Sequence, residues 1–283
     1  MRILGAQWRP KTADTASNLR RMLDLVAKRR PTLALFPEMW LTGYSVRDRV
    51  IELAEAADGP SVEAVSKVAR KARSTIVFGF PEKARGQRGA IYNSAAVCTP
   101  NGEVGVYRKW FLPNFGPYEE KLHFHKGTAV PVFDTPFGTL GVQICYDLFF
   151  PELAKVSCLK GADIIVNISA SPITARSLFE RIIEARAVEN AVFFAYVNRV
   201  GTDLGLVFAG GSALIGPRGQ EVTSLPLIKE GLLECEVDLE DTDLARPFRP
   251  TLRDSRPEVF EEAAELVRNG GPRKPRSPRP REV

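Results

Sequence analysis

Two periodicities alternate along this chain. Short runs rich in β-branched and aromatic residues are separated by longer stretches in which apolar residues return at helical spacing, and the alternation continues from residue 2 to about residue 240. Strand-like runs fall at 2–8 (RILGAQW), 33–36, 75–80 (TIVFGF), 90–97, 104–110 (VGVYRKW), 139–145 (TLGVQIC), 163–169 (DIIVNIS), 192–200, 211–216 and 231–239. Helical periods fall at 14–30, 60–73, 151–160 and 176–190. Three intervals, TPNGEV (99–104), DTPFGTL (134–140) and GPRGQE (216–221), place Pro, Asn and Gly between strands, which predicts hairpins there.

Strands joined both by helices and by hairpins predict a mixed sheet. The helices need a sheet face to cover, and Leu178, Ile182, Ala185 and Val188 are read as one such apolar stripe. Ten strands exceed a comfortable open sheet, so the pattern predicts two sheets packed face to face with helices outside, as one domain over residues 1–240. From residue 241 the period is lost and prolines accumulate. An extended arm over 241–267 is expected there, ending in a short helix at 257–268, as a candidate subunit contact.

Composition places the chain among globular proteins, with 44% hydrophobic and 26% charged residues in 283. The start, MRILGAQWRP, passes directly into a strand-like run with no signal-peptide pattern, so a cytoplasmic protein is expected. The net charge of +5 comes from residues 268–283, a Pro/Arg-rich tail expected to be poorly ordered; the rest of the chain balances 33 basic against 33 acidic residues. Without aromatic residues among those arginines, specific nucleic-acid recognition is not expected, and no feature calls for a membrane. Cys98, Cys145, Cys158 and Cys235 stand far apart, which excludes a disulfide framework and argues against a metal site. The two histidines, His123 and His125, read as solvated loop residues.

Three segments place ionisable residues where a strand runs out into a loop: LALFPEMWLTGY (33–44), VYRKWFLPNFGPYEEKLHF (106–124) and GVQICYDLFFPE (141–152). Alone, Glu38 reads as an exposed acid, Lys109 as a cation in an alternating strand, and Cys145 as a core thiol. Together they supply a nucleophile, a carboxylate to take its proton and a cation to hold developing negative charge. A thiol of pKa ~8.5 needs such help at neutral pH.

With FPE, YRK and ICYD in this order, the chain resembles the nitrilase, or carbon–nitrogen hydrolase, superfamily over residues 1–240. The resemblance implies an α/β fold, a four-layer α-β-β-α sandwich, and assembly as a homodimer or higher homo-oligomer. It also implies a cofactor-free hydrolase in which Glu38 is the general base, Lys109 the oxyanion cation and Cys145 the nucleophile. Glu120 of GPYEEKLHF corresponds to a second glutamate that assists the base, with Glu119 adjacent. The oxyanion would lie between Lys109 and the backbone N–H of Tyr146, and the acyl group would pass through a thioester to water.

Further segments are similar to the glutaminase domain of glutamine-dependent NAD synthetases. In those domains an arginine meets the substrate α-carboxylate. Ser171 and Pro172 match the motif that precedes it, while Arg176 falls about one residue off register. Tyr44, Phe115 and Tyr118 lie where family members line the pocket. The 283 residues contain no synthetase half, and Tyr146-Asp147 follows the cysteine where the nitrile-cleaving branch has Trp-Glu. The expectation is an amidase acting on a small amide or N-carbamoyl compound. An ammonia-supplying glutaminase-like subunit and a catalytically silent binding subunit are the alternatives.

Overall fold

The computed structural model describes residues 1–270; the expectation for the tail beyond them lies outside the described residues. Fourteen strands and eight α-helices follow in the order β1 (Arg2–Gln7), α1 (Thr15–Arg29), β2 (Leu33–Leu35), α2 (Val50–Leu53), α3 (Pro60–Ala72), β3 (Thr75–Lys83), β4 (Ile91–Cys98), β5 (Val104–Arg108), α4 (Glu120–His123), β6 (Val132–Thr135) and β7 (Gly138–Ile144). They continue as α5 (Pro151–Leu159), β8 (Ile164–Ser169), α6 (Arg176–Asn190), β9 (Phe193–Asn198), β10 (Val200–Asp203), β11 (Leu206–Ala209), β12 (Ala213–Ile215), β13 (Glu221–Ser224), β14 (Gly231–Glu236), α7 (Glu240–Ala245) and α8 (Pro257–Arg268).

The strands form two six-stranded sheets, ordered β14-β1-β2-β3-β4-β5 and β13-β12-β9-β8-β7-β6, with β10 and β11 as a separate hairpin. The two sheets share one plan. Three parallel strands, β1–β3 in one and β7–β9 in the other, are flanked by one antiparallel strand on one side and two on the other. The duplication is topological, with no matching repeat in the sequence.

Between the sheets, Ile3, Leu35 and Val77 pack with Val142, Val166 and Val197 in a dry core. Outside, Met22, Val26, Val62 and Val65 of α1 and α3 cover Phe36 and Phe78 of the first sheet. Cys158, Ile183 and Ala187 of α5 and α6 cover Ile165 and Phe194 of the second. This is the α-β-β-α sandwich of the sequence reading, reached because each sheet has two apolar faces and each helix one. Helix boundaries follow local chemistry. The Asp14 side chain accepts from the Ser17 N–H at 3.0 Å to start α1, and Arg30 ends it in the left-handed conformation.

Three expectations need correction. The buried stripe of α6 is Phe179, Ile183, Arg186, Ala187 and Asn190, whereas Leu178 is half exposed; a phase error of one residue turns the face by about 100°. The arm after residue 240 is not wholly extended, since α7 forms at once and buries Thr242 and Ala245. The strand containing Lys109 ends at Arg108, which leaves Lys109 in the loop beyond. Among the described residues, no helix is long and apolar enough to cross a membrane.

Candidate active site

The parallel strands of both sheets deliver their following loops to one place. Glu38 follows β2, Cys145 follows β7, Ala170 and Ser171 follow β8, and Lys109 follows β5. Each sits where backbone leaves regular structure, and two of the turns are strained: Cys145 has φ +48° and Met39, beside Glu38, has φ +52°. At Cys145 the chain turns from β7 into a short 3₁₀ segment, Cys145–Phe149. As the second residue of that segment, Tyr146 carries an N–H with no partner inside the helix. Asp147, fully buried, fixes the turn by accepting from Tyr107 Oη at 2.7 Å, Phe111 N at 2.9 Å and Ile144 N at 3.1 Å.

The structure brings Glu38, Lys109, Glu120 and Cys145 together although they span more than a hundred residues of chain. Lys109 Nζ donates to Glu38 Oε1 and to Glu120 Oε1, both at 2.7 Å. Glu38 Oε1 also accepts from Asn93 Nδ2 at 2.7 Å, and its Oε2 accepts from the Ala170 N–H at 2.8 Å. Cys145 stands in the same cluster, where its thiol feels the charges of Glu38, Lys109 and Glu120. Tyr44 Oη donates to Glu120 Oε1 at 2.7 Å, while Glu120 Oε2 is buried without a protein partner. Glu38 and Lys109 are both fully buried, unlike the exposed residues that composition alone suggests.

Two carboxylates share one ammonium here. Burial lowers the Lys109 pKa, but the charges of Glu120 and Glu38 more than offset it, so the lysine is held protonated. Burial raises Glu120 to about 7, helped by the Glu38 charge and opposed by Lys109. Burial, then the Glu38 charge, pushes the Cys145 thiol well above its ordinary value despite Lys109. Cys145 is therefore held as a thiol rather than a preformed thiolate.

A cavity of about 280 Å³ opens onto Cys145 and Glu120. Of the residues expected to bind substrate, Tyr44, Phe115, Tyr118 and Ser171 line it. Arg176 does not: it starts α6 on the outside, about half exposed, with Nε 2.6 Å from Glu180 Oε1 one turn on. That i,i+4 ion pair in water satisfies the guanidinium and leaves Pro172, Ala175 and Leu178 as the wall at this point. A second cavity of about 270 Å³ shares Tyr44, Tyr118 and Glu120 with the first, and is lined beyond them by Arg47, Glu119 and His123. His123 is thus partly enclosed, where a freely solvated loop residue was expected, whereas His125 is exposed and packs on Tyr92 with ring centroids 5.9 Å apart.

A family model for carbon–nitrogen hydrolases matches residues 2–247. The chain belongs to the carbon–nitrogen hydrolase family. It is an enzyme of that class within the nitrilase superfamily. It is 40% identical over 250 residues to the probable nitrilase C965.09 of Schizosaccharomyces pombe, covering 86% of this chain and 89% of that one. It is 30% identical over 251 residues to the glutamine-dependent NAD(+) synthetase of Thermotoga maritima, covering 85% of this chain and 42% of that one. Among solved structures it is similar, at TM-score 0.78 and 29% identity over 93% of this chain and 97% of that one, to a mutant of the amidase from Nesterenkonia sp. AN1. That structure shows the acetamide moiety of fluoroacetamide added covalently at the active-site cysteine.

Sequence reasoning missed several residues that build this hydrolase site. Asn93 lies inside an unremarkable strand, AIYNSAAV, and only cross-sheet geometry aims it at Glu38. Ala170 acts through its backbone, which no side-chain pattern reports. Gly79 permits the Glu38 loop to lie on β3, because an added Cβ would stand 2.3 Å from Met39 N and 2.7 Å from Glu38 Cα. A glycine within a β-rich run was the one available signal.

Proposed function

We propose that this hydrolase is a thiol amidase that cleaves the C–N bond of a small amide or N-carbamoyl compound through a Cys145 thioester. The observation that carries this reading is the fully buried Glu38–Lys109 pair, Nζ to Oε1 at 2.7 Å, joined to Glu120, which lines one cavity with Cys145. Glu38 takes the thiol proton as sulfur attacks the carbonyl carbon. The tetrahedral oxyanion forms between the Lys109 ammonium and the Tyr146 N–H, donors fixed before the reaction begins. Glu38 returns the proton to the departing nitrogen, and ammonia or an amine leaves. A water then gives a proton to Glu38 and its oxygen to the thioester, releasing the acid and restoring the thiol. Glu120, tied to Lys109 and Tyr44, positions the ammonium and presents its unpartnered Oε2 toward the reacting nitrogen or water.

Intact-mass measurement during turnover of a slow amide tests this reading. The expected result is an acyl adduct that Cys145→Ala abolishes together with ammonia release. A Cys145→Ala enzyme that still hydrolysed amides would overturn it. Arg176 does not line the cavity, so the glutaminase-like alternative lacks that carboxylate clamp and rests on the sequence similarity alone. For assembly, the exposed Val259, Phe260, Leu266 and Val267 of α8 support a homo-oligomer in which this helix is covered, and light scattering of the full chain measures its size.

A further inference from the structure

The wall of the cavity away from Glu120 is an arc of aromatic rings. Phe115 meets Tyr146 with centroids 5.3 Å apart, Tyr146 meets Phe149 at 5.5 Å, and Phe149 meets Phe179 at 5.3 Å. Pro172 and Leu178 close the remaining side. Among the described residues, no arginine or lysine lines this cavity. Arg176 turns outward to Glu180, Arg47 and His123 line the neighbouring cavity, and Lys109 is committed to Glu38 and Glu120. On the amidase reading the reacting carbonyl sits at Lys109 and Tyr146, and because Tyr146 is itself a ring of the arc, the acyl chain on that reading lies against it.

We propose that this enzyme selects amides whose acyl group is neutral and apolar, of branched aliphatic or single-ring size, over acyl groups that carry a carboxylate. The inference rests on the amidase reading and specifies its acyl side. A carboxylate placed in the arc would lose its hydration and find at most the hydroxyls of Tyr118, Tyr146 and Ser171, with no guanidinium or ammonium to balance its charge. An aryl acyl group would instead extend this series of edge-to-face and tilted ring contacts. The volume, near the lower end of small-molecule sites, matches one ring or a short branched chain.

The experiment is a comparison of kcat/KM, read as ammonia release by the full-length enzyme, on acetamide, pentanamide, isovaleramide, phenylacetamide and glutaramate, the monoamide of glutaric acid. Lengthening the acyl group from acetamide should raise kcat/KM by about tenfold per methylene until the arc is filled. Phenylacetamide and isovaleramide should lead the series, and glutaramate should fall on the order of 100-fold below pentanamide, its uncharged counterpart. Leu178→Arg puts a guanidinium at the half-exposed rim, where it can remain hydrated. It should raise kcat/KM on glutaramate at least about tenfold while lowering it on phenylacetamide. Glutaramate turnover equal to or faster than pentanamide, with Cys145-dependent ammonia release intact, would overturn the acyl preference and leave the amidase reading standing. Absence of Cys145-dependent turnover on every amide would overturn both.

Discussion

Asn93 Nδ2 donates to Glu38 Oε1 at 2.7 Å, deep between the two sheets and on the oxygen that Lys109 also meets. A glutamate has three rotatable side-chain bonds, and this contact with the Ala170 N–H on the other oxygen leaves it one orientation. Asn93→Leu keeps the volume and removes the donor. A hydrogen bond to a buried charge is worth about 1.5–3 kcal/mol, so kcat should fall about 10–100-fold with KM little changed. Steady-state kinetics on any accepted amide measures this, and a kcat within twofold of the parent would refute the positioning role.

Glu120 makes the enzyme's stability depend on pH in a defined direction. Its folded-state pKa of about 7 lies above the ordinary 4.5, so between those values the folded protein holds a proton that the unfolded chain has lost. This group's contribution to stability therefore falls as pH rises through that window, by on the order of 3 kcal/mol in all. Glu120→Gln removes the dependence. Its Tm relative to the parent should climb from pH 5 to about pH 7 and level off by pH 8, while activity drops at every pH; parallel Tm profiles would contradict the raised pKa.

Lys109→Met should behave in the opposite sense. It leaves Glu38 and Glu120 buried without their shared cation, a loss expected to cost about 3–5 kcal/mol near pH 8. Part of that loss should return at pH 5, where Glu120 can take up a proton, and part should return on adding Glu120→Gln. Thermal denaturation of the single and double variants at the two pH values checks both. Equal destabilisation at pH 5 and pH 8 would mean that packing, rather than charge, dominates at this position.

Gly79→Ala tests the seat of the Glu38 loop. The new Cβ cannot occupy a point 2.3 Å from Met39 N, so the loop must move off β3 and carry Glu38 from its two donors. A drop in kcat of at least about tenfold is expected, with the far-ultraviolet circular dichroism of the sandwich retained. Unchanged kinetics would show that the strand yields instead of the loop.

Much of this molecule is legible in the order of its residues, because strand and helix periods are local. The runs at 75–80, 139–145 and 163–169 became β3, β7 and β8, and the hairpins at 99–104, 134–140 and 216–221 lie between paired strands. The four-residue strands β6, β10, β11 and β13 did not announce themselves, since four residues are too few to show a period. The α6 stripe was misread by one position because Leu178 is apolar yet faces the cavity rim. The resemblance carried in Glu38, Lys109 and Cys145 pointed to the chemistry. Their individual residue types favoured an exposed acid, an exposed cation and a core thiol.

The sequence by itself determined the layers and their helices, since amphipathic period and turn chemistry depend on near neighbours. It also carried the motif order that identifies the family. Only the tertiary structure decided that four loops from two sheets meet and that one lysine holds two buried carboxylates. It alone placed Asn93 and a backbone amide around Glu38, and it alone sent Arg176 out to Glu180. Those outcomes depend on long-range sheet packing, on the phase of a helix and on the loss of water around charged groups. No local window of residues contains that information.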